Sequence, residues 1–308
     1  MICNEKIVSS ILCIGIILGS LSPVSIASDE IKASKEILQK ENIVNSHYDT
    51  NEDVLEIAEN YKSDSDYDEL QSKKEDLALR ETMKEFNIES TETIENNKSA
   101  QVYYYEELVK LEGKTVDESL KEVMEELDSY FSSEEADLIR NNMKKSITEE
   151  NTVIATKSAV KSSTIADLAI ANTAIAWFKA NGYTFSAMLL SKSLYGDTSK
   201  KFVPTNSQKE FFYRTKAYNS LKNKKAYPPG SVKNGEFQNR FNRDEADAYY
   251  SIHGFTANMT SNRVIINDTY DYKYDNSRTA SAFAINACYR LQMAGRLKTY
   301  KIAIPLKR

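Results

Sequence analysis

The stretch Val264-Ile-Ile-Asn-Asp-Thr-Tyr-Asp-Tyr272 constrains the fold more than any other in the chain. Three β-branched apolar residues, Val264, Ile265 and Ile266, ask for a strand with a buried face. The run then ends in Asp268, Tyr270 and Asp271, groups that a strand filling a sheet does not need. A partner precedes it: Tyr249 to Met259, joined through Thr260-Ser-Asn-Arg263 with Ser261-Asn262 as a two-residue turn. This register sets Thr260 against Arg263, Phe255 against Asp268 and His253 against Tyr270. One face then carries Met259, Ala257, Phe255, Val264 and Ile266 and continues into His253, Asp268 and Tyr270. A slip of one residue would mix the faces, so the pattern favours this register.

The neighbouring segments complete an α+β domain. Thr279 to Leu297 has helical spacing, with Gly295 near its end, and Thr299 to Leu306 alternates as a strand. Pro305 places that strand at an edge or an end. Upstream, Leu168, Ala171, Ile175 and Phe178 line one side of a helix stopped by Gly182, and a second helix over about 184–195 ends at Gly196. Together they form an αα-hairpin, with Trp177 as a core residue. Residues 197–245 read as basic and irregular, with a short helix near 206–221 and a turn at Pro228-Pro-Gly230. Cys288 falls on an apolar helix face as a buried thiol, not a nucleophile.

Charge divides the chain where hydropathy does not. Residues 31–150 hold 32 Asp and Glu against 15 Lys and Arg, about −17; residues 151–308 hold 10 against 24, about +14. We read four segments: a signal peptide over 1–27, an acidic helical pro-region or accessory domain over 28–148, a linker over 149–163, and a basic α+β domain over 164–308. Lys6, the apolar run Ile7–Leu21, Pro23 and Ser25-Ile-Ala27 mark an exported chain cut after Ala27. The run is shorter than a membrane span, so no stable anchor is expected. Removal of Cys3 and Cys13 leaves Cys288 alone, which excludes an internal disulfide. In the acidic segment, an apolar stripe from Leu108 to Leu127 predicts helices over 102–147, with a fresh start at Ser132-Ser133. Asp64 to Asp68 reads as a solvated break, lacking the Gly and bidentate Glu of a calcium loop.

The candidate site follows from the hairpin. A carboxylate beside His253 would fix its tautomer and raise its basicity. Asp268 and Asp271, near the frayed end of a strand, are candidates to hold a hard divalent cation with waters. Arg278 is placed to clamp a phosphate in two-pronged fashion. The bland alternative makes Asp271 and Asp275 loop residues and Tyr270 a cross-strand packer. His47 lies in the acidic half as a surface residue.

Asp268-Thr-Tyr-Asp271 with Arg278 seven residues on resembles the D-x-Y-D…R signature of the colicin M family. Those bacteriocins hydrolyse lipid II. The resemblance implies cleavage between undecaprenyl and pyrophosphate, a requirement for Mg²⁺, and site residues Asp268, Tyr270, Asp271 and Arg278. Ser277 stands where the family often has a ring residue, which leaves His253 to move the proton. The match covers about a dozen residues. More broadly, Asn181-Gly-Tyr-Thr-Phe-Ser, Tyr250-Ser-Ile-His-Gly-Phe and Ile266-Asn-Asp-Thr-Tyr-Asp-Tyr resemble a domain of secreted Gram-positive proteins without assigned activity.

These readings converge on one expectation. The chain is a secreted, bacteriocin-like hydrolase of a pyrophosphate-bearing envelope precursor, its basic domain masked by the acidic half. Its partners would be that anionic precursor or a wall polymer, its own acidic half, and an immunity protein. Two other classes stay open: a non-catalytic module binding anionic wall polymer, and a nuclease toxin, since aromatics interleave with bases over 197–245.

Overall fold

The computed structural model describes residues 64–155, 163–277 and 280–308. The signal segment, His47, the helical pattern near Val54–Tyr61, residues 156–162 of the linker and Arg278 lie outside the described residues. The described residues fall in one compact unit. Ten α-helices and a four-stranded antiparallel sheet make an α+β fold. No helix among them is long and apolar enough to cross a membrane.

The helices are α1 Asp64–Glu85, α2 Thr91–Asn96, α3 Lys98–Lys110, α4 Val116–Tyr130, α5 Ser133–Ala155, α6 Ser163–Ala180 and α7 Thr184–Tyr195, then α8 Lys216–Leu221, α9 Arg243–Ser251 and α10 Ala280–Met293. At the centre lies α6. Its nine consecutive residues 170–178 are all buried, because α3, α4, α7 and α10 pack around it. An α-helix apolar on every side has no face to give to water. The one-sided stripe read from Leu168, Ala171, Ile175 and Phe178 is therefore wider in the fold. A Schellman turn ends α6: Tyr183 N–H donates to the Phe178 carbonyl at 2.8 Å and Gly182 N–H to the Lys179 carbonyl at 3.0 Å, with Gly182 at φ +76°. This reverses the chain into α7 as expected.

The break in charge at 148–164 is not a break in packing. Leu108, Val109, Leu120, Val123, Leu127, Ile139 and Met143, all from the acidic stretch, belong to one hydrophobic core with α6, α7 and the sheet. Ion pairs cross the same boundary, among them Lys98 with Asp167 at 3.0 Å, Lys179 with Glu126 at 2.6 Å and the buried Lys192 with Glu135. The α4 start is fixed by a capping box between Thr115 and Glu118. One expectation needs correcting here. Asp64 to Asp68 is the first turn of α1, not a solvated break; carboxylates are favoured at a helix N-terminus by the macrodipole.

The sheet is a meander, β1 Val232–Glu236, β2 Gly254–Met259, β3 Arg263–Tyr270 and β4 Tyr300–Lys307. The β2–β3 register is the one predicted: Thr260 N–H meets the Arg263 carbonyl at 2.8 Å, and Met259 pairs with Val264 and Ala257 with Ile266. Pro305 lies in β4, opposite Ile265. The first strand of the predicted hairpin is too long, however. Tyr249–Ser251 end α9, which Asn242 caps by accepting the Glu245 N–H at 2.8 Å. The capping signal Asn-x-x-Glu outweighs the strand preference of two tyrosines. Neither β1 nor α9 is legible in the basic, irregular reading of 197–245.

A chain cut between residues 156 and 162 is expected to stay one particle. The two fragments should co-elute by size exclusion in native buffer and separate only in denaturant. Independent elution of the acidic fragment would show that the shared core does not hold the two stretches together.

Candidate active site

A cleft of about 610 Å³ opens where β2 and β3 part. Their ladder stops at Thr256–Asn267, while β2 continues along β1 to the Glu236–Gly254 pair. The expected pairs His253–Tyr270 and Phe255–Asp268 therefore do not form. The gap between the strands becomes one wall of the cleft, and α6, α9, α10 and the loop after β3 supply most of the rest, with Tyr105 of α3 and Leu190 of α7. His253, Asp268, Tyr270 and Asp271 all line it. Arg278 is not among the described residues, but Asn276 and Ser281 on either side of it line the same cleft.

Each residue arrives by a different route. Asp268 shares the core-facing side of β3 with Ile266 and Tyr270, as strand alternation requires. Its carboxyl is half-buried. Desolvation and then repulsion from Asp271 push it up to about 7, against a hydrogen bond from the Thr269 N–H and the pull of Lys273 and Lys301. Asp271 stands beyond the strand end and is exposed.

His253 is not on a strand. It sits between α9 and β2 at φ +51°, in the left-handed region, where a glycine is the usual residue after a helix. Its N–H donates to the Tyr249 carbonyl at 2.9 Å and its carbonyl accepts from Phe237 at 2.8 Å. The imidazole is exposed and tilted against the Tyr249 ring at 4.7 Å between centroids.

Tyr270 is a wall residue. It is 3% exposed, its ring stacks on Tyr300 at 5.2 Å, and its hydroxyl lies 2.9 Å from that of Tyr272. Burial raises both phenols far above their usual range. Cys288 is buried behind them and its thiol is pushed up to about 12 by desolvation, so it is inert.

The loop carrying Asp271 is held by two amide side chains that the sequence did not point to. Gln292 accepts the Tyr272 N–H at 2.9 Å and donates to its carbonyl at 3.2 Å. Asn286, 1% exposed, accepts the Asp275 N–H at 2.8 Å and donates to its carbonyl at 3.0 Å. Both project from α10, so the helix acts as a template for a loop with no regular structure. Glu236, Tyr249, Lys273 and Asp275 complete the mouth of the cleft. Lys273 and Asp275 follow Asp271 in the same loop, and only Glu236 comes from a segment remote from the motif.

Among the described residues no group of three or more His, Cys, Asp and Glu side chains gathers to hold a metal ion. Asp268 and Asp271 are a pair of carboxylates near enough to repel. A scan against protein-family models, a search of curated proteins and a search of solved structures each found no match.

Two outcomes test the site. His253→Gly removes a non-glycine residue from left-handed backbone and should stabilise the fold by about 1 kcal/mol, seen as a higher melting temperature. A lower one would mean that the imidazole is there for packing. Ionisation of Asp268 opposes folding, because its folded value lies above the unfolded one of about 3.9. Its unfavourable effect is absent below pH 4 and grows as pH rises to 7. Asp268→Asn should therefore stabilise the protein more at pH 8 than at pH 5, measured by urea unfolding; a pH-independent difference would contradict the desolvated carboxyl.

Proposed function

We propose that the cleft is the active site of a secreted antibacterial-type hydrolase acting on a pyrophosphate-bearing, lipid-linked envelope precursor. The observation that carries this reading is the division of the cleft. Ala174, Trp177, Phe178, Leu190, Ala284 and Cys288 line its inner part, and His253, Asp268, Asp271, Lys273 and Asp275 its mouth. An apolar recess under a charged rim suits a molecule with a hydrocarbon chain joined to a charged group. The D-x-Y-D motif at the rim agrees with that substrate class.

In this reading His253, exposed on the rim beside Tyr249, takes the proton of the attacking water. The Tyr270–Tyr272–Tyr300 wall holds β3 and the following loop in place. Arg278 is the expected clamp on the pyrophosphate. The Mg²⁺ implied by the motif fits Asp268 and Asp271, since that ion takes one or two carboxylates and completes its shell with water and substrate phosphate; it would offset charge on the pyrophosphate. Among the described residues the acidic helices contribute Tyr105 alone to the cleft lining, so their part here is to complete the core around α6.

The full chain, given lipid II and Mg²⁺, should release a lipid-free pyrophosphoryl product, and Asp268→Asn should lower the rate by at least about 100-fold. Mg²⁺ should bind more tightly at pH 8 than at pH 6, because the ion displaces a proton from Asp268. Absence of product from the unmodified chain would refute the reading.

A further inference from the structure

The sheet is electrically polarised along its strands. Glu236, Asp268 and Asp271 cluster at the end where β2 and β3 part. At the opposite end, about 23 Å away along β3, Arg263 and Lys307 lead a group of cationic side chains. Residues 218–233, 256–265 and 303–308, which build that end, contain no Asp or Glu. Arg263 and Lys307 face each other directly across the β3–β4 ladder, both exposed. Like charges in that relation destabilise a sheet.

Arg308 adds more charge to the same place. Its guanidinium donates to the carbonyls of Lys222 at 3.4 Å, Asn223 at 3.1 Å, Thr260 at 3.2 Å and Tyr227. This draws the loop after α8 against the tip of the β2–β3 hairpin. Lys222, Lys224 and Lys225, all exposed, are thereby set beside Arg263 and Lys307. Tyr218 and Tyr213 brace the arrangement: the Tyr218 hydroxyl donates to the Lys307 carbonyl at 2.7 Å, and the Lys307 N–H donates to the Tyr213 hydroxyl at 3.0 Å. The fold thus spends specific hydrogen bonds on gathering cations that repel one another. A local arrangement that works against stability is the mark of a functional site.

We propose that this basic end is a docking site for a flexible phosphodiester polymer without bases, such as a polyol-phosphate chain. The chemistry of the patch selects that class. Lysine ammonium groups are mobile point charges that follow a polyphosphate backbone without fixed geometry. The braced tyrosines use their hydroxyls internally, and Tyr227 is half-buried, so the patch offers no open aromatic platform for stacking bases. Its exposed apolar groups are Val232 and the Pro228–Pro229 turn, with no amphipathic helix to lie in a bilayer surface. The patch contains no histidine, so binding stays constant from pH 5 to pH 8. The site is independent of the chemistry in the cleft.

The test is fluorescence anisotropy of the full chain with labelled poly(glycerol phosphate) across a salt series. Binding should weaken with salt, and Lys222→Gln/Lys224→Gln/Lys225→Gln should reduce affinity roughly 10- to 100-fold and flatten the salt slope by about 2. Arg263→Gln alone should reduce it by a smaller factor, which keeps the test informative if the triple variant folds poorly. Asp268→Asn should bind as the unmodified chain does. Unchanged affinity in both patch variants overturns the proposal. So does equal or tighter binding of single-stranded RNA or of anionic phospholipid vesicles through the same residues.

Discussion

Burial of α6 on all sides is the constraint from which the rest of the structure follows. A helix with Ile170, Ala171, Ala174, Ile175, Trp177 and Phe178 spread around its circumference cannot lie on a surface. It has to be enclosed, and the basic part of the chain encloses only half of it, with α7 and α10. The acidic helices α3 and α4 supply the other half. This makes the strong charge asymmetry a surface property laid over a common interior. Lys98 from α3 and Arg290 from α10 both meet the buried Asp167 of α6, at 3.0 and 2.7 Å, so even the polar content of the core joins the two stretches.

The cleft exists because a ladder ends early. Were β2 and β3 paired to their ends, Asp268 would face Phe255 and no opening would separate them. Instead α9 runs directly into β2, and the left-handed turn at His253 points the chain toward β1. The same turn brings the imidazole to the rim. Across the gap, α10 holds the loop after β3 by two amide side chains, so an irregular segment keeps Asp271 in place. Rigid elements position groups that the chain carries on its loops. The desolvated Asp268 is the cost of this geometry, and a titratable group held in that state within a cleft is a physical marker of a site.

The polarity of the sheet relates the two functional readings. Its acidic end is a recess of limited volume, which the proposed function fills with one small charged group on an apolar tail. Its basic end is an open surface with separated cations, where the proposed ligand is an extended polyanion. The strands keep the two ends apart by about 23 Å. Both proposed ligands are anions, so the two proposals differ in shape, a recess against an open surface, and in the cation that Asp268 and Asp271 would have to hold in the recess.

The β2–β3 register, the αα-hairpin and the buried Cys288 were legible along the chain, whereas His253 and Tyr270 reach the cleft without the strand pairing expected of them. The first three follow from alternation, helical spacing and glycine stops, which act over a few residues. Only the tertiary structure decided that Tyr249–Ser251 are helical, that the ladder opens beyond Thr256, that Tyr270 spends its hydroxyl on Tyr272, and that Asn286 and Gln292 hold the loop. It also decided that the acidic stretch shares the core. The amides lie 11 and 20 residues from the groups they hold, and the shared core joins residues as remote as Tyr104 and Phe283. Even the local Tyr270–Tyr272 contact depends on how the chain turns after β3; none of these contacts leaves a periodic trace in the chain.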